Sequence, residues 1–138
     1  MVDKINIRVY ACVLQDKKVM VLHESYAGEK LIKFPGGGLE FGESVLDCLH
    51  REFAEELNLK INILSHLYTQ EDFLVSRFRE NEQLLTVYYL AEILDPENLK
   101  IMDSSIDEVK WMCLEEDHNP LPLPIDRIVF EKLKEEFL

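Results

Sequence analysis

The chain has 138 residues, of which 47% are hydrophobic, and this length and composition predict one domain, residues 1–138, with a packed core. A formal net charge of −12 argues against non-specific binding to nucleic acid or to a membrane, so we expect neither partner. No apolar run is long enough to span a membrane. The first ten residues lack the basic and apolar segments of a secretory signal, so we expect a cytoplasmic protein.

The first third of the chain predicts three β-strands. Residues 5–14 alternate between apolar and polar side chains, which indicates a half-buried strand, and a polar turn at 15–17 leads into a second strand at 18–23. Residues 31–34 form a short third strand that enters a glycine-rich segment. The start of the chain is therefore expected to be a β-hairpin followed by one more strand.

The glycine-rich segment is expected to be a turn that approaches a ligand closely. Pro35 stiffens the chain, while Gly36, Gly37 and Gly38 allow a positive φ, and Gly42 gives a second turn before a helix. Such a turn presents backbone amides to phosphate and carbonyl oxygens to a metal ion. Glycines alone are a weak signal, so the helix that follows decides the interpretation.

The helix that begins near Glu43 has an apolar face and a carboxylate face. The apolar side chains, which we expect to face the core, are Leu46, Leu49, Phe53 and Leu57. Glu52, Glu55 and Glu56 fall within an arc of roughly 100°. Carboxylates this close repel each other unless one is protonated or a hard divalent cation binds, such as magnesium, manganese or calcium. Glu43 stabilises the positive end of the helix dipole.

The spacing of these residues resembles the Nudix box, G-x5-E-x7-R-E-U-x-E-E-x-G-U, where U is a bulky apolar residue. The matching positions are Gly37, Glu43, Arg51, Glu52, Phe53, Glu55, Glu56 and Leu59. Asn58 departs from the pattern, because it stands where the family has glycine at the helix C-terminus. Asparagine tolerates the left-handed conformation next best, so we expect a small cost in stability and an intact metal site.

The resemblance implies a fold, an activity and a cofactor. The fold is an α/β sandwich of the Nudix type, α/β/α, with a mixed β-sheet between helices. The activity is hydrolysis of the pyrophosphate linkage of a nucleoside diphosphate linked to another group. Mg²⁺ is the expected ion, with Mn²⁺ as an alternative, and the partner is a small nucleotide substrate. Similar proteins are often homodimers.

The resemblance also assigns roles to residues. The metal ligands are the carboxylates of Glu52, Glu55 and Glu56 and the carbonyl oxygen of Gly37. Glu52, Glu55 or a carboxylate from a loop takes the proton of the attacking water. The remaining two members of the box support this set, since Arg51 orients a neighbouring carboxylate and Glu43 braces the helix.

After the helix, residues 60–73 predict one or two strands and residues 84–93 another. The loop at 75–82 carries Arg77 and Arg79, which together with Lys33 are candidates to bind a substrate phosphate; plain solvent exposure is the alternative for each. The aromatic candidates for stacking on a base are Tyr68, Phe73 and Tyr88, with core packing as the alternative.

The last third of the chain predicts a turn at 95–98, an irregular acidic segment at 99–107, a strand at 109–114 and a closing helix at 124–137. The family often draws a further carboxylate from a loop here, and the candidates are Asp103, Asp107 and Glu108. Cys12, Cys48 and Cys113 are odd in number and widely spaced, as is typical of reduced core thiols. The predicted order is β-β-β-α-β-β-β-α.

Substrate choice is open between two classes. The marker residues of ADP-ribose, diadenosine polyphosphate and coenzyme A hydrolases are absent, which leaves nucleoside triphosphates and nucleotide sugars, and we favour a small nucleotide such as a triphosphate. A catalytically silent nucleotide-binding module is the alternative of another class. Such proteins usually lose carboxylates of the box, whereas all four glutamates and the arginine are present here.

Overall fold

The computed structural model describes residues 1–138. The strands are β1 (Lys4–Gln15), β2 (Lys18–Tyr26), β3 (Glu29–Lys33), β4 (Gly36–Gly38), β5 (Ile61–Thr69), β6 (Glu82–Ile93) and β7 (Ile106–Cys113). The helices are α1 (Val45–Leu57) and α2 (Pro124–Phe137), with a single 3₁₀ turn at Pro96–Asn98. No helix combines the length and apolar character needed to cross a membrane.

Strand β1 is the centre of a mixed sheet with the order β3-β2-β1-β6-β5, to which β4 adds on β1 and β7 on β2. It runs parallel to β6 from Lys4↔Glu82 to Val13↔Ala91 and antiparallel to its other neighbours. Alternate β1 side chains point to opposite faces. Val9 and Ala11 pack in the layer under α1, whereas Tyr10 and Cys12 pack in the layer under α2. The predicted mixed sheet between helices is confirmed.

The glycine segment differs from the prediction. Residues 36–38 form an extended strand paired with β1, with Gly36 opposite Tyr10, Gly37 opposite Val9 and Gly38 opposite Arg8. Of these three only Gly36 has a positive φ, at 149°. Three consecutive glycines carry no strand signal in sequence, so β4 was missed and a turn was expected. The observed strand places the Gly37 and Gly38 backbone alongside α1 and β1.

The other predicted strands and both helices are present with shifted ends. Residues 60–73 contain the single strand β5, and β6 begins at Glu82, two residues before the predicted start. Helix α1 begins after the N-cap Ser44, whose side chain accepts from the Asp47 amide in a capping box. Helix α2 begins at Pro124, as predicted.

Helix α1 ends at Asn58, which adopts the left-handed conformation with φ 56° and ψ 37°. The side-chain Nδ2 of Asn58 donates to the backbone carbonyl oxygen of Asn98 at 3.0 Å. Glycine has no side chain to make this contact, so the hydrogen bond offsets part of the conformational cost of asparagine. The departure from the box pattern is thus accommodated without displacing the helix end.

The apolar face of α1 is buried with one exception. Leu49, Phe53 and Leu57 are at most 1% exposed, and Cys48 is fully buried beside them. Leu46 was expected on this face, but it is 41% exposed. Leu46 has the same angular position around the helix as the buried residues. However, it lies in the first turn of α1 and is not among the side chains packed in the layer under the helix.

We expect Leu49→Ala or Phe53→Ala to lower the free energy of unfolding by about 2 to 5 kcal/mol, because each removes a buried side chain and leaves a cavity. Leu46→Ala is the matched control on the same helix and should cost less than about 1 kcal/mol. Denaturant unfolding measures all three. Equal losses for Leu46→Ala and Leu49→Ala would contradict the packing described here.

Candidate active site

The carboxylate of Glu52 lies directly against the backbone of β4. A Cβ atom placed on Gly37 would stand 2.5 and 2.6 Å from the two carboxylate oxygens of Glu52, closer than any real side chain approaches. At Gly38 the same addition would meet only the Arg8 and Asn6 side chains, at 3.5 and 3.6 Å, which is ordinary contact. A side chain at position 37 would therefore displace the Glu52 carboxylate from its position.

Arg51 joins helix α1 to β4 and to the loop before the helix. Its Nε and Nη2 donate to the two carboxylate oxygens of Glu43 at 2.9 and 2.7 Å, and Nη2 also donates to the carbonyl oxygen of Gly38 at 3.0 Å. Its Nη1 donates to Glu52 at 2.9 Å and to Glu55 at 3.2 Å. One guanidinium thus contacts three of the four glutamates of the box.

The hydrogen bonds from Arg51, together with one from the Glu40 amide at 2.9 Å, lower the pKa of Glu43 to about 2. Glu43 therefore stays ionised at any pH at which the protein is expected to work. Both carboxylate oxygens of Glu43 accept a hydrogen bond from Arg51, and one of them also accepts from the Glu40 amide. This places Glu43 as a support of Arg51 at the edge of the site.

Glu56 behaves differently from the other glutamates of the box. Burial, a hydrogen bond with Glu52 and the charge of Glu52 raise the pKa of Glu56 to about 9. At neutral pH one proton therefore belongs to the Glu52–Glu56 pair. The structure brings these two carboxyl groups together, whereas Glu55 is 62% exposed and turned to Arg51.

The chain has no group of three or more histidine, cysteine, aspartate or glutamate side chains already arranged to hold a metal ion. The donor chemistry nevertheless fits a hard divalent cation. Glu52 and Glu56 supply carboxylate oxygens, and Glu52 lies against the backbone of Gly37. Because a metal ligand must be deprotonated, a bound cation would displace the proton that the raised pKa of Glu56 favours.

The three candidate phosphate-binding residues lie apart. Lys33 is buried and forms an ion pair with Glu24 at 3.2 Å, so its charge is already neutralised. Arg77 donates to both oxygens of Glu29, at 2.9 and 3.4 Å, on the protein surface. Arg79 is exposed in the loop between β5 and β6.

The three loop carboxylates that were candidates have other partners. Asp103 accepts from the amide and hydroxyl of Ser105, both at 2.8 Å, and Asp107 accepts from the Ser25 hydroxyl at 2.7 Å. Glu108 forms an ion pair with Lys110 at 3.6 Å. None of the three contacts the glutamates of the box through a hydrogen bond or an ion pair.

A cavity of about 180 Å³ opens on the face of the sheet covered by α2. Its walls are side chains of β1 and β6, residues 74–77 of the loop between β5 and β6, and the start of α2 at residues 123–126. The rings of Tyr10 and Tyr88 stack at a centroid distance of 5.3 Å on the sheet side. Of the aromatic candidates only Tyr88 lines this cavity, since Tyr68 packs behind it and Phe73 is 69% exposed.

Asp126 lies in the first turn of α2 and lines the cavity. The Tyr88 hydroxyl donates to its Oδ1 at 2.6 Å, while its buried Oδ2 has no hydrogen-bond partner. Burial raises the pKa of Asp126 to about 6, against the opposing effects of the Tyr88 hydrogen bond and the charge of Lys33. Sequence reasoning missed Asp126 and Tyr10, because an acid in the first turn of a helix and an aromatic residue in a strand are both ordinary.

The comparisons with known proteins agree with this arrangement. The NUDIX domain family matches residues 4–132. Among solved structures, a NUDIX hydrolase from Nitrosomonas europaea is 20% identical with a TM-score of 0.78, over 96% of this chain and 90% of that one. A MutT NUDIX hydrolase from Burkholderia pseudomallei is 18% identical with a TM-score of 0.78, over 95% and 99%. The MutT protein from Methanosarcina mazei Go1 is 20% identical with a TM-score of 0.77, over 99% and 97%.

The likeness to these structures is one of fold, a mixed sheet between two helices. Because the family match covers nearly the whole chain, the protein belongs to the Nudix family, as a pyrophosphohydrolase.

Gly37→Ala should reduce metal-dependent turnover on the order of 100-fold, because the added methyl group forces the Glu52 carboxylate away from its position. Gly38→Ala is the matched control and should cause a much smaller loss, since the added group meets only ordinary contacts. Steady-state kinetics on both variants, with circular dichroism to verify folding, measures the difference. Comparable losses would show that the glycines matter for another reason.

The raised pKa of Asp126 predicts a pH-dependent stability. Since the folded pKa of about 6 exceeds the ordinary value of 3.8, the folded state binds this proton more tightly than the unfolded state. The resulting stabilisation is complete below about pH 4 and is lost as the pH rises to about 6.

Asp126→Asn removes this titration, so the variant should gain stability relative to the parent by on the order of 2 kcal/mol between pH 4 and pH 7. Urea unfolding at several pH values measures the difference. Asp117→Asn, at an exposed position, is the control for the removal of one carboxylate. If the difference in unfolding free energy between Asp126→Asn and the parent stays the same from pH 4 to pH 7, the raised pKa of Asp126 is contradicted.

Proposed function

We propose that the protein is a metal-dependent hydrolase that cleaves the pyrophosphate linkage of a small nucleotide, with a nucleoside triphosphate as the favoured substrate. The observation that carries the proposal is that strand β1 forms part of the wall of the 180 Å³ cavity and also pairs with the glycine strand against which Glu52 lies. Tyr10, which lines the cavity, pairs with Gly36 in the sheet, and its neighbour Val9 pairs with Gly37 beside Glu52. A base in the cavity thus has its phosphates within reach of the carboxylates.

The cavity suits a single nucleobase. Its volume is comparable to that of one base, and the Tyr10 and Tyr88 rings supply aromatic surface on its sheet side. The unpartnered Oδ2 of Asp126 is an acceptor above about pH 6, when the carboxyl is ionised. We infer that it accepts from an amino group or ring N–H of the base, because a buried acceptor gains most from such a partner.

A larger open cleft of about 350 Å³ lies along β2, β3 and β7. It is lined by Glu24, Asp107 and Glu108, with few apolar side chains. The three acids outnumber the single lysine of the lining, Lys30, and so disfavour phosphate groups. The only ring in the lining is the imidazole of His23, whereas the smaller cavity has two stacked tyrosines. The smaller cavity is therefore the better site for the nucleoside part of the substrate.

The residues around the carboxylates divide the work of catalysis. Glu52, Glu56 and the Gly37 carbonyl, joined by Glu55, would hold Mg²⁺, or Mn²⁺ as the alternative. When bound, the ion draws charge from the phosphoryl oxygens and lowers the pKa of the attacking water. Glu52 or Glu55 accepts the proton of that water.

Arg51 supports this chemistry without contacting the substrate. Its hydrogen bonds fix the directions of the Glu52 and Glu55 carboxylates, and its bonds to Glu43 fix Arg51 in turn. Arg77 lines the cavity beside the base. The Lys33 ammonium is already paired with Glu24, so we infer that Lys33 acts only through its charge near the Tyr10 ring. Cytoplasmic location and homodimer formation stay predictions from sequence and resemblance.

The first test is phosphate or pyrophosphate release, with identification of the products, from nucleoside triphosphates, nucleotide sugars and dinucleotides. Each is assayed with Mg²⁺ and with chelator. Metal-dependent turnover of triphosphates supports the proposal, and preferential turnover of nucleotide sugars would replace the substrate class. Ligand binding without any turnover would instead indicate a silent nucleotide-binding module.

Glu55→Gln and Glu56→Gln should each lower turnover by roughly 100-fold or more with little change in stability. Glu55 is 62% exposed, and Glu56 holds its proton at neutral pH, so an amide is a mild change for folding. Glu40→Gln is the control, since Glu40 is 66% exposed and only 3.7 Å from Arg51. Full activity in either test variant would overturn the site assignment.

A further inference from the structure

Arg8 is a cation of the site that forms no direct ion pair with a carboxylate. Arg51, Lys33 and Arg77 each form an ion pair with at least one glutamate. Arg8 takes part in none of the nine ion pairs of the protein. Its one side-chain hydrogen bond runs from Nε to the Tyr10 hydroxyl at 2.6 Å, so Nη1 and Nη2 are without acceptors.

The position of Arg8 connects the two parts of the site. It lies on β1 between β4 and β6, opposite Gly38 on one side and Thr86 on the other. Thr86 and Tyr10 both line the 180 Å³ cavity, and the Tyr10 hydroxyl accepts the hydrogen bond from the Nε of Arg8. On the other side, Nη1 lies 3.5 Å from the point where a Cβ of Gly38 would stand. The guanidinium therefore lies between the cavity and the glycine strand β4, against which the Glu52 side chain of α1 packs.

The Tyr10 hydroxyl fixes the orientation of the guanidinium. Nε is engaged by this hydroxyl, and the Arg8 Cζ lies 5.7 Å from the Tyr10 ring centroid, so the N–H groups of Nη1 and Nη2 are left for another acceptor. Two free N–H groups in one plane match two oxygens of a phosphate in a bidentate pair. A half-buried guanidinium without a counter-ion gains more from such a pair than an exposed one does.

We propose that Arg8 binds the phosphate that carries the nucleoside, between the base in the cavity and the pyrophosphate at the carboxylates. The proposal rests on the function proposed above, because it assumes that a base occupies the cavity. Arg8 then supplies positive charge to the substrate from the protein itself, independently of the metal ion. It also favours substrates with a phosphate attached directly to the nucleoside.

The test compares binding of a nucleoside with binding of its 5′-monophosphate. Calorimetric titration of the full chain with AMP, CMP, GMP and UMP, and with the four nucleosides, is carried out with Mg²⁺ and with chelator. Arg8→Gln should weaken monophosphate binding by about 10- to 100-fold under both conditions, as expected for loss of a charged hydrogen-bonded pair, and leave nucleoside binding within about twofold. Arg8→Lys should recover part of the loss.

Two controls keep this result interpretable. Lys132→Gln removes a positive charge from an exposed ion pair on α2 and should leave binding of both ligands unchanged. Thermal unfolding verifies that the Arg8 variants fold. If Arg8 is only structural, Arg8→Gln weakens nucleoside and monophosphate by the same factor, and this outcome overturns the inference.

The outcomes also separate this inference from the proposed function. A parent protein that hydrolyses nucleotides, together with an Arg8→Gln variant of unchanged monophosphate affinity, overturns the role of Arg8 alone. A parent that neither hydrolyses nucleotides nor binds monophosphates overturns both. A rise in KM with a smaller change in kcat for Arg8→Gln is the expected kinetic counterpart.

Discussion

The site depends on the hydrogen bonds of one guanidinium. Arg51 contacts Glu43, Glu52 and Glu55 and the carbonyl oxygen of Gly38, and so joins α1 to the glycine strand. In a protein with a net charge of −12, these three neighbouring carboxylates repel each other when no cation lies between them. Arg51 offsets this repulsion and sets the direction of each carboxylate. The helix position, and with it the packing of Glu52 on the Gly37 backbone, follows from these contacts.

The remaining buried charges are balanced in three physically different ways. Lys33 and Glu24 neutralise each other as a buried ion pair. Glu56 holds a proton, because burial and the adjacent Glu52 raise its pKa to about 9. Asp126 also has a raised pKa, about 6, but burial is the main cause and its hydrogen-bond partner is the neutral Tyr88. The carboxylate end of the site is therefore suited to cations, and the cavity end is suited to a neutral base.

The sequence was sufficient to bring Glu52, Glu55, Glu56 and Arg51 together, because helix α1 carries all four and its periodicity places them together. It was insufficient for Arg8, Tyr10 and Asp126. Asp126 of α2 contacts Tyr88 of β6, and only the parallel pairing of β1 with β6 places Tyr88 beside Tyr10. Lys33 shows the same limit, since its counter-ion Glu24 lies on another strand. β4 was missed for a different reason. Glycine has no intrinsic preference for strands, so only the pairing with β1 makes that segment extended.

Strand β1 separates the chemistry from the recognition of the substrate. Its alternation sends Val9 and Ala11 to the layer that supports α1, and Arg8 and Tyr10 to the side of the cavity. If the proposed function holds, substitutions at the cavity side alter contacts to the substrate without disturbing the packing under the carboxylates. Because residues of both faces belong to one hydrogen-bonded strand, the proposed spacing between base and carboxylates is set by β1, whose residues rise by about 3.3 Å each. In this proposal one strand holds constant the distance that a pyrophosphate must span, while its cavity-facing side chains select the nucleoside.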